Sequence, residues 1–286
     1  MTQTKIFPLI EVVKSYDVLI FDIWGVLYDG VEPYPDTISF LNNVIDNDKR
    51  VIFLSNTPRP GDIMANKFIA WGFDMKKATI YTSGDALREQ LVSWNDEVFK
   101  NLGKKCYHIG GDRNQDLLRD ITIDVTDNIK EADFLLITAY LEEDEDLNIY
   151  DGALEEAARL ELQAICPNPD LTVNQSNGIR YCAGTFAKKY EEFGGMVHYY
   201  GKPEVRIFDA LFNKHLRDVD KSKMLMVGDT MDTDILGANR AGIDSALVLT
   251  GNGKEIAAKL LAGESNVFKD YQSEPTWITD GVINHR

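Results

Sequence analysis

Asp17-Val-Leu-Ile-Phe-Asp-Ile-Trp-Gly-Val-Leu-Tyr-Asp-Gly30 is the stretch on which the fold turns. Val18 to Phe21 is an unbroken apolar run that stops at a carboxylate, Asp22, with a glycine soon after at Gly25. Apolar residues without alternation belong to a strand covered on both faces, the habit of parallel sheets. A carboxylate just beyond such a strand stands at the carboxyl edge of the sheet, where open α/β folds hold their ligands. Alone, an Asp in that place serves equally well to cap the following turn.

The same pattern repeats outward from this stretch. Val51 to Leu54 is a second apolar run and ends in Ser55-Asn56-Thr57-Pro58, and Met224 to Val227 is another and ends in Gly228-Asp229-Thr-Met-Asp-Thr-Asp234. Ile80-Tyr-Thr82 and Ala246 to Leu249 read as further strands. Helical spacing runs through Ile38, Leu41, Val44 and Ile45, through about Asp62 to Ala70 with Gly72 as the stop, and through Ile235 to Ala241 with Gly242 as the stop. Another helix, with Val205, Phe208, Leu211 and Phe212 on its apolar face, follows Gly201-Lys202-Pro203. Alternating strands and helices imply right-handed crossovers and a doubly wound parallel sheet, an α/β fold.

From about residue 88 the character changes. Cys106 to Ile109, Phe134 to Ile137 and Ala164-Ile165 read as strands with the helix Ala153 to Leu162 among them, and Glu142 to Asp146 is a solvated acidic run. The expected division is a discontinuous core of residues 1–87 and 184–286, interrupted by an inserted α/β domain at 88–183.

The 286 residues leave ample length for a packed core, and 44% hydrophobic composition marks a globular chain. A formal net charge of -16 opposes a nucleic-acid backbone or an anionic membrane surface as partner. A small anionic substrate stays open if cations are concentrated locally. The three cysteines, Cys106, Cys166 and Cys182, form no CxxC pair, which points to a reduced compartment, the cytoplasm. The opening Met1 to Pro8 has no long apolar core, and no later run approaches the roughly 18 apolar residues that span a bilayer. His108, His198, His215 and His285 show no ligand spacing. There is no GxSxG element, no GxGxxG after the first strand, and Thr250-Gly-Asn-Gly-Lys254 lacks P-loop spacing and reads as a plain loop.

Phe21-Asp22-Ile-Trp-Gly-Val, Leu54-Ser55-Asn56, Gly201-Lys202-Pro203 and Gly228-Asp229-Thr-Met-Asp-Thr-Asp234 resemble the four ordered motifs of the haloacid dehalogenase (HAD) superfamily. Gly237-Ala-Asn-Arg-Ala-Gly242, Leu249-Thr-Gly251 and Asn168-Pro169-Asp170 are similar to its class IIA, NagD-like branch, and the resemblance covers nearly the whole chain. It implies a Rossmann-like core with an inserted class II cap, and Mg²⁺-dependent hydrolysis of a small phosphorylated metabolite through an aspartyl-phosphate on Asp22. It also implies catalytic roles for Asp22, Lys202 and Ser55, and a metal site of Asp22, the Trp24 backbone carbonyl, Asp229 and Asp234. Ser55, Asn56, Thr57, Trp24, Lys202 and, on the inserted domain, Asn168 and Asp170 are the expected substrate-binding set. A homodimer is left open.

Electrostatics points to the same division of labour. A carboxylate attacks an anionic phosphorus only when both charges are screened, since like charges a few ångströms apart repel strongly at low dielectric. A hard cation with oxygen ligands and a lysine beside the nucleophile provide that screening.

One position departs from the family. Two residues after the nucleophile most of its phosphatases carry an Asp that serves as general acid and then base; here Trp24 stands there. General acid–base help is typically worth about 10²–10⁴-fold, most for alkyl phosphates with poor leaving groups. Three readings follow: a phosphatase for good leaving groups or with a substitute acid, a changed chemistry, or a degenerate protein that binds a phosphorylated ligand without turnover. Asp29 in the following flap is a possible substitute acid, although Asp29-Gly30 is also ordinary turn chemistry.

Overall fold

The computed structural model describes residues 5–175 and 178–282; Met1 and His285 lie outside these ranges. In chain order the strands are β1 (Val18–Phe21), β2 (Arg50–Ser55), β3 (Ala78–Thr82), β4 (Lys105–Ile109), β5 (Asp124–Val125), β6 (Phe134–Ile137), β7 (Leu141–Glu142), β8 (Gln163–Cys166), β9 (Thr172–Gln175), β10 (Gly178–Tyr181), β11 (Met196–Tyr199), β12 (Met224–Gly228), β13 (Asp244–Val248) and β14 (Trp277–Thr279).

β1 is buried throughout and pairs in parallel on both sides, Val18 facing Arg50 of β2 and Met224 of β12. It is central to a six-stranded sheet ordered β14-β13-β12-β1-β2-β3. Its unalternating composition follows from this position. Leu19, Phe21, Val51, Phe53, Leu225 and Val227 pack on one face with Phe40, Leu41, Val44, Met64 and Phe68 of the helices Thr37–Asp46 and Gly61–Ala70. Val18, Ile20, Ile52, Leu54, Met224 and Met226 pack on the other with Ile207, Phe208, Leu211 and Ala238 of the helices Val205–His215 and Leu236–Ala241. Each such side chain fully removed from water contributes about 1.5–3 kcal/mol before entropy is counted. The strand β14 and the helix Lys254–Leu261 lie where sequence patterning gave no signal.

A second parallel sheet, ordered β11-β8-β6-β4-β5, is built from the inserted part. Its last strand, β11, pairs with β8 from Met196↔Gln163 to Tyr199↔Cys166, and Ala183, Phe186, Ala187 and Tyr190 of the helix Ala183–Glu192 pack into its core. The boundary expected at 183 is therefore too early, and this sheet's chain runs to Tyr199. Met196-Val-His-Tyr199 at the sheet margin is part-exposed, so it shows no buried apolar run. β7, β10 and β9 add a small antiparallel sheet that sequence reading did not foresee. Among the described residues no helix is long and apolar enough to cross a membrane.

Candidate active site

Asp22 begins where β1 ends, its backbone N–H donating to the Val227 carbonyl of β12 at 2.8 Å, so its side chain is carried at the edge of the parallel sheet. Ser55 closes β2, and Asp229 follows β12 directly. Lys202 lies between β11 and the helix Val205–His215 and is almost fully buried, with 2% of its surface exposed. Its Nζ donates to Asp22 Oδ1 at 2.6 Å, Asp234 Oδ1 at 2.7 Å and the Leu54 carbonyl at 3.2 Å. Asn56 holds the lysine backbone from both sides, accepting from Lys202 N–H at 2.7 Å and donating to its carbonyl at 3.0 Å. The same amide donates to Asp170 Oδ1 at 2.9 Å, tying the loop after β8 to the tip of β2.

Asp234 sits on a π turn, Met231–Ile235, that folds its carboxylate back under the strand end. There Oδ2 accepts from the backbone N–H groups of Asp229 and Thr230, both at 3.1 Å. Single π turns inside helices recur at functional sites. One carboxylate oxygen from each of Asp22, Asp229 and Asp234 lies within 4.8 Å of the others, and all three residues are buried.

Burial pushes the Asp22 carboxyl well above the usual range; Lys202 opposes this, and Asp234 and Asp229 reinforce it. Burial, then Asp234, raises Asp229 to about 7. Burial works against the charge on Lys202, yet the two carboxylates beside it outweigh that and hold it above the usual lysine range. The ammonium thus binds two of the three carboxylates, and among the described residues the donors to Asp229 are neutral, the Asn252 N–H at 2.7 Å and the Thr230 hydroxyl at 2.9 Å. A surplus of buried carboxylate oxygens converging on one point fits a hard, oxygen-seeking divalent cation.

Two adjoining cavities open over this cluster and share Asp22, Trp24, Asp170 and Val173. The larger, about 650 Å³, is also lined by Lys202 and Asp229. The smaller, about 60 Å³, is also lined by Ser55, Asn56, Thr57 and Asn168. The structure brings together every residue expected at the site, with Asp234 beneath the cavity wall. Asn168 is part of the wall and also a turn former, its Oδ1 accepting from Asp170 N–H at 3.0 Å. Trp24 is half-buried and packs on Tyr28 with ring centroids 4.8 Å apart, while the Lys67 ammonium lies 5.4 Å from its ring. Asp29 is a turn residue: its Oδ1 accepts from Val31 and Glu32 N–H, both at 2.9 Å, and these bonds hold its carboxyl below the usual range.

Sequence reading missed Asn252. The loop Thr250-Gly251-Asn252 supplies the N–H on Asp229, and Thr250 Oγ1 donates to the Gly25 carbonyl at 2.6 Å. Gly25 and Gly251 both have positive φ, 76° and 50°, and a Cβ on either would stand 2.0 Å from Asp229 Oδ2. Only glycine gives the two loops this conformation and approach.

Residues 19–124 match the model of the haloacid dehalogenase-like hydrolases, and residues 199–282 match a second HAD-hydrolase-like model. Ribonucleotide monophosphatase NagD of Escherichia coli K12 is 28% identical over 237 residues, covering 82% of this chain and 87% of that protein. An acid sugar phosphatase of Staphylococcus epidermidis is 25% identical over 243 residues, covering 83% and 88%. A haloacid dehalogenase-like hydrolase structure from Brucella suis superposes with a TM-score of 0.80 at 24% identity, covering 96% of this chain and 99% of that one. With two models of the same family matched in order along the chain, it belongs to the haloacid dehalogenase-like hydrolases, in their NagD-like, class IIA branch.

Proposed function

We propose that this chain is a phosphatase-type hydrolase that takes a phosphoryl group from a small phosphorylated metabolite onto Asp22 and passes it to water. The observation that carries the reading is the buried contact of Lys202 with Asp22 and Asp234, beside Asp229 and under a cavity. A buried ammonium fixed against a sheet-edge carboxylate is poorly explained as stability alone, because desolvating such groups is costly. Related proteins named as a nucleotide monophosphatase and as sugar phosphatases support a phosphomonoester substrate.

In this reading Asp22 attacks phosphorus in line, an Asp22–phosphorus bond forms and the bond to the leaving oxygen breaks. Lys202 neutralises charge on the nucleophile and the phosphoryl group, and Ser55, Asn56 and Thr57 orient the phosphoryl oxygens. Asp234 fixes the lysine. Asp22, Asp229 and the Trp24 backbone carbonyl would hold Mg²⁺, with Asp234 close behind; when bound, the ion supplies the positive charge that lets two anions meet. Three buried cysteines, none of them in a disulfide among the described residues, suit a reducing, cytoplasmic setting.

The test is phosphate release from a phosphomonoester panel with Mg²⁺. Asp22→Asn should abolish it with the fold retained by circular dichroism, since an amide cannot attack phosphorus; wild-type turnover in this variant would reassign the nucleophile. Trp24 favours a second reading, a binder of phosphorylated ligands without turnover, because its indole supplies no acid–base group. In that case phosphomonoesters bind and no phosphate appears.

A further inference from the structure

In-line displacement by Asp22 sends the leaving oxygen toward the face of phosphorus turned away from β1. An alkoxide departs slowly unless a proton meets it there. Trp24 has no such proton near neutral pH, and the Asp29 carboxyl is tied into its own turn. The smaller cavity, which Asp22 lines, takes the rest of its wall in part from the inserted part, including Asn114, Thr138, Tyr140, Asn168 and Asp170. Asp170 is the carboxyl group in that wall. At about 60 Å³ the cavity that Asp22 and Asp170 both line holds a group of a few atoms, such as the phosphoryl unit with its leaving oxygen.

Asp170 is positioned and half-free. Its Oδ1 accepts from Asn56 Nδ2 at 2.9 Å, and Oδ2 has no protein partner among the described residues. Through Asn56 it is fixed to the backbone of Lys202, whose ammonium holds Asp22. We infer that Asp170 is the proton donor to the leaving oxygen in place of the missing acid at position 24, an inference that rests on the hydrolase reading above. In the first step the bond from phosphorus to the leaving oxygen breaks, its electron pair stays on oxygen, and the Asp170 proton joins it to give the alcohol. In the second, the Asp170 carboxylate takes a proton from water as the water oxygen bonds phosphorus and the bond to Asp22 breaks, releasing phosphate. Burial pushes the Asp170 carboxyl up to about 6 against the pull of Lys202 and the Asn56 bond, which keeps part of it protonated near neutrality.

The experiment compares an alkyl substrate, glycerol phosphate, with p-nitrophenyl phosphate, whose nitrophenolate leaves unaided. Asp170→Asn should lower kcat/KM on glycerol phosphate by about 100-fold or more, and on p-nitrophenyl phosphate by less than about 10-fold. Asp170→Glu, which keeps an acid, should retain more alkyl activity than Asp170→Asn. Asp170→Ser keeps an acceptor for Asn56 without an acid and is read on the same pair, so misfolding of one variant leaves the comparison in place. Equal losses on both substrates, or a Glu variant no better than Asn, would overturn the assignment and leave the hydrolase reading standing. A wild-type protein that releases phosphate from neither substrate overturns the hydrolase reading and this inference with it.

Discussion

The two parallel sheets of this molecule are built alike and used differently. In the six-stranded sheet the tips of β1, β2 and β12 lead into Asp22, Ser55 and Asp229, and a buried lysine binds two of the carboxylates nearby. In the five-stranded sheet the tips of β6 and β8 lead into Thr138 and Asn168, which line the same cavity with neutral groups. Thr138 is engaged by His108 at 2.7 Å, and Asn168 holds its own turn. Parallel strands gather side chains at one edge wherever they occur, but charge placed there costs desolvation and needs partners. The six-stranded sheet carries that cost; to the smaller cavity the five-stranded sheet contributes shape, and one carboxylate, Asp170, on a loop beyond it.

The largest break in this contrast comes from the lysine. Lys202→Met leaves Asp22 and Asp234 buried without their cation, and loss of one partner of a buried pair costs about 3–5 kcal/mol. Urea denaturation should show a loss of that order, together with loss of phosphate release; unchanged stability would mean that the charges are not truly desolvated. Next comes Trp24→Asp, which adds a carboxyl to the charged side. Turnover of glycerol phosphate should rise by about 10-fold more than that of p-nitrophenyl phosphate, less than the about 10²–10⁴-fold of a general acid acting alone, because Asp170 already donates a proton. Equal gains on the two substrates would place the benefit of the change elsewhere than proton donation.

The smallest effect lies in the neutral sheet. Burial lowers the His108 pKa below its ordinary 6.5, so the unfolded chain binds more protons than the folded one as pH falls through that value. His108 therefore withdraws stability below about pH 6.5 and has no such effect above it. His108→Gln should flatten the pH dependence of the urea midpoint between pH 7 and 5.5, and an unchanged slope would show that the imidazole stays hydrated.

What could be read without coordinates follows from how each residue acts. β1, β2 and β12 were legible because strands covered on both faces are apolar without alternation, and each runs into a polar side chain of the candidate site, Asp22, Ser55 or Asp229. Lys202 carried no such signal by itself; its place was given by the order of four motifs. Asn252 was illegible because it acts on Asp229 through a backbone N–H, which almost every residue possesses. β11 was missed for a different reason: at the margin of its sheet, Met196, Val197, His198 and Tyr199 stay partly exposed, and the pattern that marks a buried strand does not form. Trp24 was visible as an anomaly, but its stacking on Tyr28 and its position in both cavities needed the fold.

One consequence concerns molecules designed to block this pocket. An ammonium has three N–H bonds, and those of Lys202 already point at Asp22, Asp234 and the Leu54 carbonyl. An inhibitor gains the field of that cation but no new hydrogen bond from it without evicting one of these acceptors. Selective ligands for this protein will have to find their directional contacts elsewhere, among the groups the inserted part adds to the cavity wall, such as Asn114, Thr138 and Asn168.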